Sequence, residues 1–153
     1  MDLPLFHTAA PAFANLTMSI ELAMGIVLIF GAWMAHRRWY TQHAWCQSFV
    51  VLLNLIVIAI AMVPSFKTSV RPRIPEKLGH SFYALATTHA IIASVAEVAA
   101  LYMMLAAGTQ LLPARLRPTN LKIGMRITLA LWWTALVLGF ATYLRWYIPF
   151  KHV

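Results

Sequence analysis

The sequence predicts an all-α integral membrane protein, an up-down-up-down four-helix bundle. Three observations carry this. Four apolar stretches, residues 16–36, 44–63, 82–107 and 124–147, are spread along the 153-residue chain, and a helix needs about 20 mostly apolar residues to cross a hydrocarbon core. The chain is 61% hydrophobic and 10% charged, far from the balance of a water-soluble domain. Residues 50–63 hold no charge and one strongly polar side chain, Asn54, so this stretch lacks the wet face that a soluble bundle helix presents. A chain of this length makes one small domain, with nothing outside the membrane large enough to fold alone.

The elements follow in order. Pro4 and Pro11 make residues 1–15 an irregular lead-in, and Asn15 or Thr17 is placed to cap the first helix. The lead-in has no Lys or Arg and the apolar run after it is too long for a signal-peptide core, so the first helix is expected to be retained. The short turn 36–43 makes the first two helices antiparallel neighbours. Pro64 is expected to end the second helix, leaving 65–80, with Pro72 and Pro75, as the longest loop. Gly108, Pro113 and Pro118 separate the third helix from the fourth, which stops at Pro149. Trp39, Trp45, Trp146 and Tyr147 fall near span ends, where amphipathic rings prefer the headgroup layer. The lone Cys46 excludes an internal disulfide and reads as a small packing residue.

The net charge of +8 comes from 12 Lys+Arg against 4 Asp+Glu. The basic residues fall almost wholly in the loops: Arg37 and Arg38, then Lys67, Arg71, Arg73 and Lys77, then Arg115, Arg117, Lys122 and Arg126. Loops at a membrane surface meet anionic lipid headgroups, which accounts for this pattern. No nucleic-acid recognition motif accompanies it, so nucleic acid is set aside as a partner. Basic residues divide evenly between the two sides of the bundle. The first helix breaks the tie, with Asp2 before it and Arg37–Arg38 after it, and this favours both termini outside.

Small and polar residues on a membrane helix tend to face protein, since lipid rewards neither close backbone approach nor hydrogen bonding. Each span carries such a stripe: Glu21, Gly25, Ala32 and His36; His43, Gln47, Asn54 and Ala61; Ala86, His89, Ala93, Ala96, Glu97 and Ala100; Thr128, Trp132, Ala135, Gly139 and Thr142. At about 100° per residue each set stays within a sector roughly 80° wide. Antiparallel alternation then gives three polar layers: Glu21 with His89 toward one surface, Asn54 with Glu97 at mid-depth, and His36 with His43 at the opposite surface.

Glu97 is the sharpest candidate, because a carboxylate at mid-membrane lines a pathway, binds a ligand or finds a partner. The simpler reading is a protonated Glu97 hydrogen-bonded to Asn54 and locking helix register. Glu21, nearer the interface, reads more simply as a snorkelling carboxylate. His89 is either a satisfied core imidazole or an axial haem or metal ligand, with Ala86, Ala90, Ala93 and Ala96 leaving room for a flat macrocycle. His36 and His43 are the inner counterparts, or plain interfacial histidines beside Arg37 and Arg38. A second histidine at the depth of His89 is not evident, and the identity of any bound metal is open. No Ser/His/Asp set, phosphate cradle, CxxC or HExxH spacing is present, so independent catalysis is not expected.

The runs RRWYTQHAW around His43, MVPSF at the end of the second helix, YALATTHA around His89, and MRITLALWW and GFATYLRWY bounding the fourth helix resemble a family of small four-helix bacterial membrane proteins. That family includes the CtaM-like proteins of cytochrome c oxidase maturation. The resemblance covers about residues 30–147 and implies service to a respiratory electron-transfer complex in the bacterial inner membrane, with larger membrane subunits as partners. It places His43 and His89 as the family's histidines. Two readings result: a non-enzymatic accessory or assembly subunit of such a complex, or a small haem b cytochrome or quinone-interacting carrier using His89 and His43 as ligands and Glu21 or Glu97 for protons. Proton or ion transport through the Glu/His layers is a third, disfavoured by the narrow interior of four helices and the absence of a repeat of broken helices.

Overall fold

The computed structural model describes residues 10–148; Asp2, Pro4, Pro149 and Lys151, which entered the readings of orientation and helix ends, lie outside the described residues. Four long helices account for most of it: α1 (Ala12–His36), α2 (Tyr40–Arg73), α3 (Ser81–Gly108) and α4 (Leu121–Tyr147). Each is long and apolar enough to cross a bilayer, and the chain is a multi-pass membrane protein. Backbone satisfaction explains why nothing but helix spans these stretches, since hydrocarbon offers no partner for a free N–H or C=O. The same rule governs hydroxyls: Thr88, Ser94, Thr134 and Thr142 each donate to the carbonyl four residues back, at 2.7–2.9 Å. A Thr or Ser so bonded can face lipid.

The helices alternate in direction and close into a ring of four. α3 and α4 pack together most extensively, α1 and α2 next, and these two hairpins meet along shorter stretches, α2 on α3 and α1 on α4. The core is built from Met24 and Leu28 of α1, Val50 and Val51 of α2, Ala96 and Ala100 of α3, and Trp132 of α4. Small residues on α3 against a large ring on α4 explain the close approach of that pair. Outward faces carry exposed Ile26, Ile29, Phe30, Phe49, Ile56, Ile60, Val98 and Val137, the inverse of a soluble surface.

Two helix boundaries differ from the sequence reading. α1 begins at Ala12 with Pro11 before it, and neither Asn15 nor Thr17 is a cap; Thr17 instead donates to the Phe13 carbonyl at 2.9 Å. α2 does not stop at Pro64. It continues to Arg73 through wider turns over Ile58–Met62 and Phe66–Val70 and a tight final turn over Arg71–Arg73. Proline removes one N–H and crowds the carbonyl four residues back, and a locally widened helix absorbs both. Thr68 donates to the Pro64 carbonyl at 3.0 Å. The expected loop 65–80 is therefore mostly helix, and Arg71 and Arg73 stand on a helix end.

The α1–α2 reversal is a Schellman turn. The Trp39 N–H donates to the Met34 carbonyl at 2.9 Å and the Arg38 N–H to the Ala35 carbonyl at 3.1 Å. The residue after the cap in this motif is left-handed, and Arg38 holds φ at 64°. That conformation costs a residue with a Cβ about 1 kcal/mol. Replacing Arg38 by Gly is expected to raise stability by about that amount, read as a higher Tm in mild detergent; a lower Tm would contradict the strain.

Candidate functional site

Two of the mid-depth candidates meet as their spacing foretold. Asn54 and Glu97 are 8% and 4% exposed, and the Asn54 amide Nδ2 donates to Glu97 Oε2 at 2.8 Å. Glu21 of α1 is half-buried. Gly25 of α1 lies against Leu136 and Gly139 of α4 against His89, so Glu21, one turn before Gly25, stands near the depth of His89. Glu21 Oε1, Asn54 Oδ1 and Glu97 Oε1 are buried with no hydrogen-bond partner, as is Thr87 Oγ1 on α3.

The two histidines at helix interfaces are engaged. His89 Nδ1 is 3.0 Å from the Ala135 carbonyl of α4. A carbonyl only accepts, so Nδ1 carries the proton and Nε2 the lone pair. The ring lies on Gly139, where a Cβ would come within 2.9 Å of Cε1 and 3.5 Å of Nε2. Only glycine admits an imidazole this close to the α4 backbone. His43 does the same work in the other hairpin, its Nδ1 2.7 Å from the Gly31 carbonyl. Gly31 also receives the Gln47 amide, which a Cβ there would strike, and Cys46 Sγ donates weakly to the Val27 carbonyl at 3.7 Å. This glycine was missed in the sequence: Ala32 and His36, chosen for the inner stripe of α1, are exposed, and the buried face is Met24, Gly25, Leu28 and Gly31.

These placements bear directly on haem. His43 stands about three turns from Asn54 along α2 and His89 about two turns from Glu97 along α3, on opposite sides of that contact. They cannot flank one iron. At His89 the α4 backbone beside Nε2 takes the room a macrocycle needs, and of the four alanines expected to leave a slot Ala86 and Ala96 are buried in the helix packing and Ala90 and Ala93 half-buried. The residues present do not fit a haem between them. Among the described residues no three His, Cys, Asp or Glu side chains come together as a metal site.

The ends of the bundle carry amphipathic chemistry. Tyr143 of α4 donates to Asn15 of α1. Phe82, Tyr83, Trp146 and Tyr147 form an edge-to-face and stacked cluster, with Phe82 and Trp146 centroids 4.5 Å apart. Arg73 donates to the Tyr83 hydroxyl at 2.9 Å, tying the end of α2 to the start of α3. At the opposite end Arg37 sits over the Trp33 ring at 5.5 Å, and Trp33 meets Trp39 edge-on. Arg117 donates to the Leu112 carbonyl at 3.2 Å. Arg37, Arg38, Arg71, Arg73, Arg115 and Arg117 are all exposed, and Trp45 is 76% exposed. Two shallow apolar grooves lie on outer faces, one of about 440 Å³ along Ser94, Val95, Val98, Ala99 and Tyr102, the other of about 250 Å³ at Ile29, Phe30 and Trp33.

Compared with family models, curated proteins and solved structures, the chain matches none.

Asn54→Leu leaves the Glu97 carboxyl buried without its donor and is expected to destabilise by about 1–3 kcal/mol, with Asn54→Leu/Glu97→Leu recovering part of the loss. Additive losses in that double-mutant cycle, measured by thermal unfolding in detergent, would mean the bond contributes nothing. Gly139→Ala pushes a methyl into the His89 ring and is expected to lower stability by about 1–3 kcal/mol. An unchanged Tm would mean α3 and α4 separate freely there.

Proposed function

We propose that the chain is an accessory or assembly subunit of a respiratory electron-transfer complex in the bacterial inner membrane, with both termini outside and no catalytic activity of its own. The observation that carries this reading is the employment of His43 and His89. Both sit in the runs that resemble the CtaM-like family, and each spends its Nδ1–H on a carbonyl of the neighbouring helix. The residues that would serve redox chemistry thereby brace the bundle. Its exposed chemistry is apolar flank and basic rim: the grooves at Val95–Tyr102 side chains and at Phe30 face lipid or a larger subunit, and Arg71, Arg115 and Arg117 meet anionic headgroups or a partner's acidic loops. On this reading the bundle acts by holding another membrane chain.

Purification in mild detergent from the native membrane tests it. Larger membrane subunits of a haem-bearing complex are expected to co-purify, while the chain expressed alone is colourless. A chain that is pure, alone and shows a reducible Soret and α band, lost in His89→Ala, would replace this reading with that of a small cytochrome.

A further inference from the structure

The larger groove on the lipid-facing surface, about 440 Å³, runs along α3 from Ser94 through Val95, Val98 and Ala99 to Tyr102. Eight helical steps give it a length of about 12 Å, close to the ~15 Å depth of one leaflet's hydrocarbon. It starts near the middle of α3 and opens toward the α3–α4 turn. Its walls ask for no hydrogen bond. Ser94 donates back to the Ala90 carbonyl at 2.7 Å, and the Tyr102 hydroxyl donates to the Leu116 carbonyl at 2.6 Å. What remains is methyl groups and a ring, with Val98 67% exposed. Such a lining suits a hydrocarbon chain and leaves the polar groups of any other ligand unpaired.

The same tyrosine places charge at the mouth of the groove. By holding Leu116 it seats the short turn Ala114–Leu116 there, and Arg115 and Arg117 flank the bonded residue, both exposed. Arg117 is steadied through Nε, which donates to the Leu112 carbonyl at 3.2 Å. That leaves its terminal amino groups for a phosphate oxygen. No Asp or Glu follows Glu97 in the sequence, and Glu97 is buried against Asn54. Neither arginine therefore has a carboxylate in its own segment to neutralise it. We infer that the groove and the turn together bind one anionic glycerophospholipid, an acyl chain laid along residues 94–102 and the phosphate on Arg115 and Arg117. The second groove, about 250 Å³ at Ile29, Phe30 and Trp33, is smaller, and the arginine beside it, Arg37, lies over the Trp33 ring. A basic rim that merely attracts headgroups would use all its exposed arginines alike. This site instead singles out Arg115 and Arg117 over Arg71 and Arg73 at the other end of the bundle. It belongs to the chain alone and stands independently of the accessory-subunit reading.

Native mass spectrometry tests it, with the full chain purified alone in mild detergent, stripped of lipid and titrated with phosphatidylglycerol or with phosphatidylcholine of the same acyl chains. One phosphatidylglycerol is expected to bind per chain, well ahead of phosphatidylcholine. Arg115→Gln/Arg117→Gln is expected to lower that affinity about 30-fold, the weight of two cations at a membrane surface, while Arg71→Gln/Arg73→Gln leaves it unchanged. Val98→Trp fills the groove with both arginines in place and is expected to abolish the complex. Val98 faces outward, so the Tm of this variant stays at the wild-type value. Equal binding of the two lipids overturns the proposal, as does an equal loss in Arg71→Gln/Arg73→Gln. Glycerol 3-phosphate that displaces the lipid at matching concentration would reduce the site to a phosphate contact and remove the groove from it. A Val98→Trp chain that keeps its lipid but no longer co-purifies with a larger subunit would give the groove to that subunit.

Discussion

Hydrocarbon offers no hydrogen bonds, and most of this structure is an answer to that constraint. Hydroxyls fold back on their own helix, as at Thr88, Ser94 and Thr142. Histidines give their proton to a neighbouring backbone, as at His43 and His89. The amide of Asn54 at mid-depth meets the buried carboxyl of Glu97. Each solution doubles as a tie between or along helices, so satisfying polar groups and fixing the bundle are the same act. Glycine then sets where helices can come close: the Gln47 amide and the His89 ring each lie on a position without a Cβ, Gly31 and Gly139.

Much of this was legible in the sequence. Four spans, their alternation and the inward faces of α2, α3 and α4 follow from apolar length and the spacing of small and polar residues. So does the meeting of Asn54 with Glu97, since both fall near mid-span on stripes that point inward. What escaped the sequence has physical causes. On α1 the stripe mixes glycine, alanine and large apolar residues, and nothing local says that Gly31 faces in while Ala32 and His36 face out; the tie comes from His43 and Gln47 on another helix. Pro64 reads as a stop in water, where a broken helix is easily resolvated. In a lipid-facing helix continuation through widened turns is the cheaper solution, and the chain takes it. Haem was suggested by histidines among alanines, a pattern that tight α3–α4 packing produces equally well.

The extension of α2 through Pro64 also reshapes the surface. It carries Arg71 and Arg73 out on a helix end, and Arg73 reaches the Tyr83 hydroxyl at the start of α3. The basic rim there is consequently held against an aromatic cluster of Phe82, Tyr83, Trp146 and Tyr147. Charge that would wander in a loop is positioned at one depth, level with the rings that seek the headgroup layer.

The bundle divides unevenly: α1 with α2 and α3 with α4 pack closely, and the halves touch along shorter stretches. Each half has its own internal clasp, a histidine on a carbonyl, while the halves share the Asn54–Glu97 bond and the Tyr143–Asn15 bond. Chain order puts both helices of the first half ahead of both helices of the second, so each clasp is local in sequence and the bond between Asn54 and Glu97 is the long-range one. The two leaves are latched in the middle by an amide from one and a carboxyl from the other.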